Sequence, residues 1–349
     1  MDRQLIAKAR LGDWITALQQ AATVYGPRER DGLTRYVPLG PDDRPLLEFG
    51  NSDWSPKEVF FPLTEEVLRW RRGPQGMAVE EPPSPDPIVV FALRPCDTTA
   101  TVFMDQAYDL GGLRDPYYWR RREGAGIIAL CCVHPCPECY GPSVGVDEAS
   151  PAGADVVLTD LGEELVAEVK TDKGRELVEL GEACFRPAGE AQVQQAGEAI
   201  TGLLKELAAQ SLDLASPTLR ARALLESAAW EQIWRRCTSC GICAFVCPAC
   251  HCFDLVDQPA RGGGCRVRCY DSCCNPIYSK LAGPVGGHNP RPTPRERLRQ
   301  RLLHKFDYIP SRFGGLLGCV GCGRCRRCPV DIDLQAAMAQ VGLPRGGAA

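Results

Sequence analysis

Two four-cysteine runs constrain this chain more than any other feature. The first reads CTSCGICAFVC and places Cys237, Cys240, Cys243 and Cys247 at C-x2-C-x2-C-x3-C spacing, with Pro248 directly after. That spacing, closed by proline, is the bacterial-type ligand pattern for a [4Fe–4S] cluster. Three thiolates on one tight loop can wrap three irons of a cubane. The fourth sits at the start of the next turn, and in two-cluster ferredoxins it ligates the other cluster. The pattern therefore predicts a second run, and Cys319, Cys322, Cys325 and Cys328, followed by Pro329, supply it. Crossed ligation would give one cluster Cys237, Cys240, Cys243 and Cys328, and the other Cys319, Cys322, Cys325 and Cys247. A zinc ribbon would instead show paired C-x2-C knuckles set well apart.

Composition narrows the setting. The chain has 349 residues, enough for two or three domains of roughly 100–200 residues each. A net charge of -4 gives no global pointer to nucleic acid or to a membrane surface. Twenty cysteines are many for this length, yet a secreted disulfide protein would be shorter and carry a leader. The N-terminal stretch MDRQLIAKARLGDW is charged and amphipathic, without the apolar core of a signal peptide. No apolar run approaches the roughly 18 residues needed to span a bilayer. Reduced cysteines without an export signal lead us to expect a cytoplasmic protein working at low oxygen.

The expected fold class is α+β, with N-terminal and middle α/β regions followed by a helical two-cluster ferredoxin-type domain. Four segments are expected: 1–85, 86–189 with a cysteine cluster of its own, a helical connector over 190–236, and the cluster domain over 237–349. Ile6, Leu11, Ile15 and Leu18 mark one face of a helix across residues 3–21. Strands are expected near Leu33–Leu39 and Pro45–Phe49. Thr64 is read as the cap of a helix starting at Glu65, and Arg71–Pro87 as a linker or exposed loop. Ile88–Leu93 and Gly126–Val133 read as strands whose C-terminal ends deliver RPCD and CCVHPCPEC, with a helix from Thr98 to Tyr108 between them. In open α/β sheets that end is where ligands bind. Strands also fit Asp155–Leu158 and Glu164–Lys170. Two helices, broken at Ser216–Pro217, should lead into the first cluster loop. The 71 residues from Pro248 to Gly318 exceed what a compact ferredoxin needs, so part of them must fold. Thr293-Pro294-Arg295-Glu296 reads as a capping box with proline at the first helical position. Leu298, Leu302, Leu303 and Phe306 continue it as an amphipathic helix. A short Ala-rich helix after Asp333 and a frayed Gly/Ala end complete the chain.

The stretches SPKEVFFP, ALRPCD, DPYYWRRRE, CPACHCFD, YDSC, GGHNPRPT, RQRLLHKF and CVGCGRC resemble the beta (iron–sulfur) subunit of cytoplasmic sulfhydrogenases and the A subunit of anaerobic sulfite reductase. They spread from residue 55 to 328, so the resemblance covers nearly the whole chain. It implies an electron-transfer subunit that is not an enzyme on its own. Its partners would be a flavin- and NAD(P)H-binding diaphorase subunit and a hydrogenase or sulfite reductase catalytic subunit. The spacing analysis by itself implies only iron–sulfur clusters. The chain departs from the family twice. Cys325-Arg326-Arg327-Cys328 has two residues between its last cysteines where the pattern has three. Cys139-Tyr140-Gly141 stands where the family has a CFC-like run, so the second cysteine is lost.

Further groups carry candidate chemistry. Arg235, Arg236, Arg324, Arg326 and Arg327 flank the loops. Positive charge there would stabilise the reduced, more negative cluster, or it could solvate a surface or dock a partner. Cys250, Cys252 and Cys273 form either an additional metal or redox site or buried small apolar groups; Cys265, Cys269 and Cys274 fall outside the motifs. In the middle region Cys96 and Cys132 end two strands that could be neighbours, and Cys136 or Cys139 could complete three thiolates. Asp97 could add a carboxylate or Cys131 a fourth thiolate, giving a third [4Fe–4S] site; otherwise the set is a cysteine-rich core or a reactive thiol pair. His134 reads as a turn residue, and His288 as shaping a Gly-rich loop. No G-x-G-x-x-G or P-loop signals a nucleotide or flavin site. The rival readings are a catalytic reductase subunit with a substrate-reducing extra cluster, and a metal-stabilised scaffold subunit.

Overall fold

A computed structural model describes residues 3–214, 216–283 and 287–342. They divide into two compact units. The first comprises the described residues of Met1–Phe60, Pro85–Ser211 and Val320–Gly323; the second those of Phe61–Ser84, Leu212–Cys319 and Arg324–Ala349. The expected segments 1–85 and 86–189 thus contribute strands to a common unit, and the second cysteine run is shared out between both.

The first unit is built on an eight-stranded sheet. Its spatial order is Phe185–Pro187, Arg3–Ala7, Glu164–Val169, Val156–Asp160, Gly126–Leu130, Ile88–Leu93, Thr23–Arg30, Leu33–Pro38. The middle of the sheet is parallel, from Thr23–Arg30 through Ile88–Leu93 and Gly126–Leu130 to Val156–Asp160; the outer pairings are antiparallel. Every residue of Ile88–Leu93 and Gly126–Leu130 is buried. Strands covered on both faces read as continuous apolar runs, which is why these two were legible. The helix Leu11–Gln19 sets Trp14 edge-on against Phe91 at 5.6 Å.

Several local expectations are corrected. Residues 3–7 form a strand, and the helix begins only at Leu11. Leu5 packs with Val166 and Ala196, whereas Ile6 joins the main core. Successive residues thus face opposite sides of a sheet, and pairing with two neighbouring strands overrides the helical spacing. Thr64 opens the strand Thr64–Gly73 instead of capping a helix. Glu65 and Val67 are buried while Thr64 is exposed and Glu66 lies between, the period of two that a strand imposes. Arg71–Pro87 is not wholly loop, since Gly76–Glu80 pairs back on Thr64–Gly73. Pro45–Phe49 is not a strand; the carbonyls of Leu47 and Phe49 accept from Arg94.

The second unit combines an antiparallel sheet, ordered Phe253–Ala260, Gly263–Tyr270, Thr64–Gly73, Gly76–Glu80, with helices. The connector makes three helices rather than two: Glu190–Gln210 in the first unit, then Pro217–Glu226 and Ala228–Arg236 in the second. Ser227 breaks the last pair in extended backbone. The capping box forms at Thr293 and Glu296 and starts the helix Pro294–Leu303, which continues as a π-helical turn, His304–Tyr308. Asp333 caps Leu334–Gln340 through the Ala336 amide at 2.9 Å; the Gly/Ala end lies outside the described residues.

Candidate metal centres

In the second unit the helix Ala228–Arg236 runs straight into the first cysteine loop. Ser239 (φ 59°) and Gly241 (φ 78°) take left-handed backbone there, which curls the loop tightly, with Cys240 between them exposed. Cys237, Cys240, Cys243 and Cys328 line one cavity of ≈ 40 Å³, together with Cys274, Cys325, Arg301 and Lys305. The turn that is one residue short is a 3₁₀ turn, Arg324–Arg327, and it still delivers Cys328 to the same cavity as the first three cysteines. Among the described residues no group of three or more His, Cys, Asp or Glu side chains is arranged to hold a single metal ion. Zinc would require four sulfurs each about 2.3 Å from one point. A cubane assigns each thiolate its own iron and suits thiols spread around a cavity wall.

The cations at this site come from an element whose charges sequence reasoning passed over. Arg297, Arg301 and Lys305 are all buried and recur every four residues, so they form one stripe. Arg301 donates from Nη1 to Cys250 Sγ at 3.0 Å and from Nη2 to the Cys243 carbonyl at 2.7 Å. Lys305 Nζ donates to Cys247 Sγ at 3.1 Å and to the Gly318 carbonyl at 2.6 Å. Arg297 reaches Ser239 Oγ at 3.1 Å. Burial alone would lower the pKa of Arg301 and of Lys305. The surrounding thiols outweigh it, Cys243 first for Arg301 and Cys247 first for Lys305, and both are held above their ordinary values. Buried cations demand anions, and cysteine sulfurs are what face them. The signal was available in the sequence. Like charges at i, i+4 and i+8 repel on a solvated helix, so such a stripe on the face that carries Leu298 and Leu302 implies an anionic partner. Two of the flanking arginines instead make ion pairs, Arg235 with Glu231 at 2.8 Å and Arg326 with Asp331 at 3.0 Å, while Arg324 is buried.

Cys247, Cys319 and Cys325 also belong to the second unit, whereas Cys322 belongs to the first. Cys325 is pushed up to about 11 by burial and sits 3.5 Å from Gln335 Nε2, which donates to it. Of the remaining thiols, Cys252 is held below its ordinary value by a hydrogen bond from Cys273, with a further one from Tyr278. Cys265 and Cys269 lie on the hairpin strand Gly263–Tyr270. His288 exchanges backbone hydrogen bonds with Leu281, at 2.7 and 3.1 Å.

The first unit gathers a second set of thiols. Cys96, Cys132, Cys136, Cys139 and Cys322 line one cavity with Asn51, Arg94 and Glu148. At ≈ 10 Å³ it is the smaller of the two, so a cage there would need the half-exposed Cys136–Cys139 turn to yield. A bulge at Ala92 (φ 59°), whose carbonyl accepts from the Tyr36 hydroxyl at 2.7 Å, ends the strand and re-aims the chain. Arg94 then ties the site together, donating to the carbonyls of Leu47 at 3.0 Å and Cys131 at 3.1 Å. Two expected donors are corrected. Asp97 is buried in the first turn of the helix Pro95–Ala107 and does not line the cavity. Cys131 packs with Ala129, Ala154 and Val157, because neighbours on an extended strand end point to opposite faces; burial pushes it up to about 12. His134 is exposed. Glu148, which no motif marked, is 2% exposed, and burial pushes it up to about 7, aided by Asp147.

The tip of the second cysteine run is built into this unit by backbone contact. The Tyr140 amide donates to the Gly321 carbonyl at 2.9 Å. A Cβ on Gly321 would lie 2.4 Å from the Gly141 nitrogen, and one on Gly323 2.5 Å from the Glu138 carbonyl oxygen. Both glycines also have positive φ, so glycine is required twice over. Asn51 donates to the Cys322 carbonyl and accepts from Cys96 Sγ at 3.6 Å.

A family model for the 4Fe-4S dicluster domain matches residues 236–332. The chain is 30% identical over 331 residues to sulfhydrogenase 2 subunit beta of Pyrococcus furiosus, covering 92% of each protein. No helix among the described residues is long and apolar enough to cross a membrane.

Proposed function

The chain belongs to the sulfhydrogenase beta-subunit family of iron–sulfur electron-transfer subunits, and from that premise we propose that it relays electrons between an NAD(P)H-linked flavoprotein subunit and a catalytic partner of the hydrogenase or sulfite reductase type. The relay is cytoplasmic in this reading, and the chain performs no bond chemistry of its own. One observation carries it: Cys237, Cys240, Cys243 and Cys328 converge on a cavity backed by the buried cations Arg301 and Lys305. [4Fe–4S] clusters supply one-electron chemistry when bound. The residues' part is to hold them, exclude water and set the local charge.

The donor assignment in this proposal is Cys237, Cys240, Cys243 and Cys328 for the first cluster. Cys319, Cys322, Cys325 and Cys247 serve the second. A third centre in the first unit takes three thiolates from Cys96, Cys132, Cys136 and Cys139. Iron and acid-labile sulfide in anaerobically purified chain test the count: about twelve irons per chain support three clusters, and about eight remove the third. NADH or NADPH should reduce the clusters only when the flavoprotein subunit is added. Sustained reduction of sulfite, protons or a disulfide by the isolated chain with a reduced dye would overturn the relay in favour of a catalytic subunit.

A further inference from the structure

We infer that Glu148 supplies an oxygen donor to the metal centre of the first unit, which makes that centre a mixed thiolate–carboxylate one. The inference rests on the third-centre reading above and names its fourth donor.

Glu148 lines the same cavity as Cys96, Cys132 and Cys139 and is almost wholly buried. Among the described residues its Oε1 has no hydrogen-bond partner. A carboxyl taken out of water must recover its lost hydration from a donor or a cation. Arg94 is the cation in the same cavity, but the hydrogen bonds of its guanidinium go to the carbonyls of Leu47, Phe49, Leu130 and Cys131. Arg94 Nε is likewise buried without a partner, so its charge acts on the carboxyl with no hydrogen bond between them, and among the described residues Glu148 Oε1 is left at a space walled by thiols. A metal is the group that binds both donor types.

Gly141 locates the meeting point. A Cβ there would lie 2.6 Å from Glu148 Oε1 and 3.7 Å from Cys139 Sγ. The backbone of Gly141 is ordinary right-handed helical, φ -49° and ψ -52°, a conformation open to any residue. On this side of its Cα the smallness of Gly141 serves the carboxylate rather than a strained turn. The oxygen of Glu148 and the sulfur of Cys139 thus come to one corner of the cavity, as neighbouring donors of one cluster would. Cys136 is the competing fourth donor. It is half-buried, and its sulfur lies 3.2 Å from where a Cβ on Gly50 would stand. An oxygen donor is harder than a thiolate, so the iron it holds should be the one most easily lost.

The test compares the anaerobically purified wild-type chain with Glu148→Ala, Glu148→Gln and Cys136→Ser, by iron content and electron paramagnetic resonance after mild oxidation. The signals of the other two clusters report in each sample that the chain has folded. Both Glu148 variants should lose about one iron per chain, or the whole third cluster, and any remnant should carry a [3Fe–4S] signal; Cys136→Ser should keep full iron. Full iron and an unchanged spectrum in Glu148→Gln would overturn the inference, as would loss of iron in Cys136→Ser alone. A wild-type chain holding only about eight irons would instead remove the third-centre reading itself.

Discussion

Lys305 Nζ stands 3.1 Å from Cys247 Sγ, and both residues are buried. A formal positive charge is thereby fixed against a thiolate of the proposed second cluster. At an effective dielectric of about 20 and a charge separation of about 6 Å, the interaction is about 3 kcal/mol. That corresponds to on the order of 100 mV for one electron. Lys305→Met should lower the midpoint potential of that cluster by this order, because the reduced state carries more negative charge. A redox titration followed by electron paramagnetic resonance reads it directly. An unchanged potential would show that the lysine charge does not act on the cluster.

Gly321 is closed in on two counts, positive φ and backbone contact with Gly141. Gly321→Ala should cost about 1–3 kcal/mol and break the hydrogen bond from the Tyr140 amide. Hydrogen exchange at Tyr140 should accelerate accordingly. Gly124, with φ 78° and nothing within 4 Å of a Cβ, is the control. Gly124→Ala should cost only the left-handed backbone term of about 1 kcal/mol. Equal losses at both positions would show that the contact with Gly141 carries no weight.

Arg268 and Glu65 form a buried ion pair across the sheet of the second unit, with Arg268 Nε donating to Glu65 Oε1 at 2.7 Å. The guanidinium also lies over the rings of Phe61 at 4.9 Å and Phe253 at 5.3 Å. Arg268→Met alone should destabilise by about 3–5 kcal/mol, because it removes the cation that faces a buried carboxylate. The double variant Arg268→Met with Glu65→Leu should recover most of that loss. Chemical denaturation of the three proteins decides it, and a double variant no better than the single one would count against this account.

His304 is lowered from 6.5 to about 4 by burial and, next, by His251, whose ring centroid is 5.5 Å away. The folded state therefore keeps the ring neutral between pH 6.5 and 4, while the unfolded chain takes up a proton there. Stability contributed by the neutral ring is present above pH 6.5 and is lost as pH falls towards 4. Thermal midpoints of His304→Gln and wild type should run parallel above pH 6.5 and differ in slope below it, with the variant falling less steeply. Parallel curves down to pH 4 would show that His304 titrates normally.

Particular residues show how far the sequence could be read. The dicluster domain, whose family model matches residues 236–332, was legible because cluster ligation is written in short spacings. The strands Ile88–Leu93 and Gly126–Leu130 were legible because burial on both faces demands unbroken apolar runs. The stripe Arg297, Arg301, Lys305 was equally present in the sequence and was masked by the leucines interleaved with it. Leu5 and Ile6 misled, since a spacing that suits a helix also places alternate residues of a strand in two different cores. Asp97 reads as the nearby acid because it follows Cys96, but it is buried in the first turn of the helix that begins at Pro95 and does not line the cavity the thiols share. Glu148 carries no motif, and its distance along the chain from Cys96 and Cys132 hid it.

By itself the sequence determined the donor chemistry: which thiols exist, how tightly each loop can close, and that iron–sulfur clusters suit them better than zinc. Those properties depend on covalent reach across a few residues. The tertiary structure alone decided that the short turn before Cys328 still reaches the first cavity, that Cys322 sits in the first unit, and that Lys305 and Glu148 face sulfur. These outcomes depend on which side chains are removed from water and on what then lies within hydrogen-bonding distance, and groups far apart in the chain settle both.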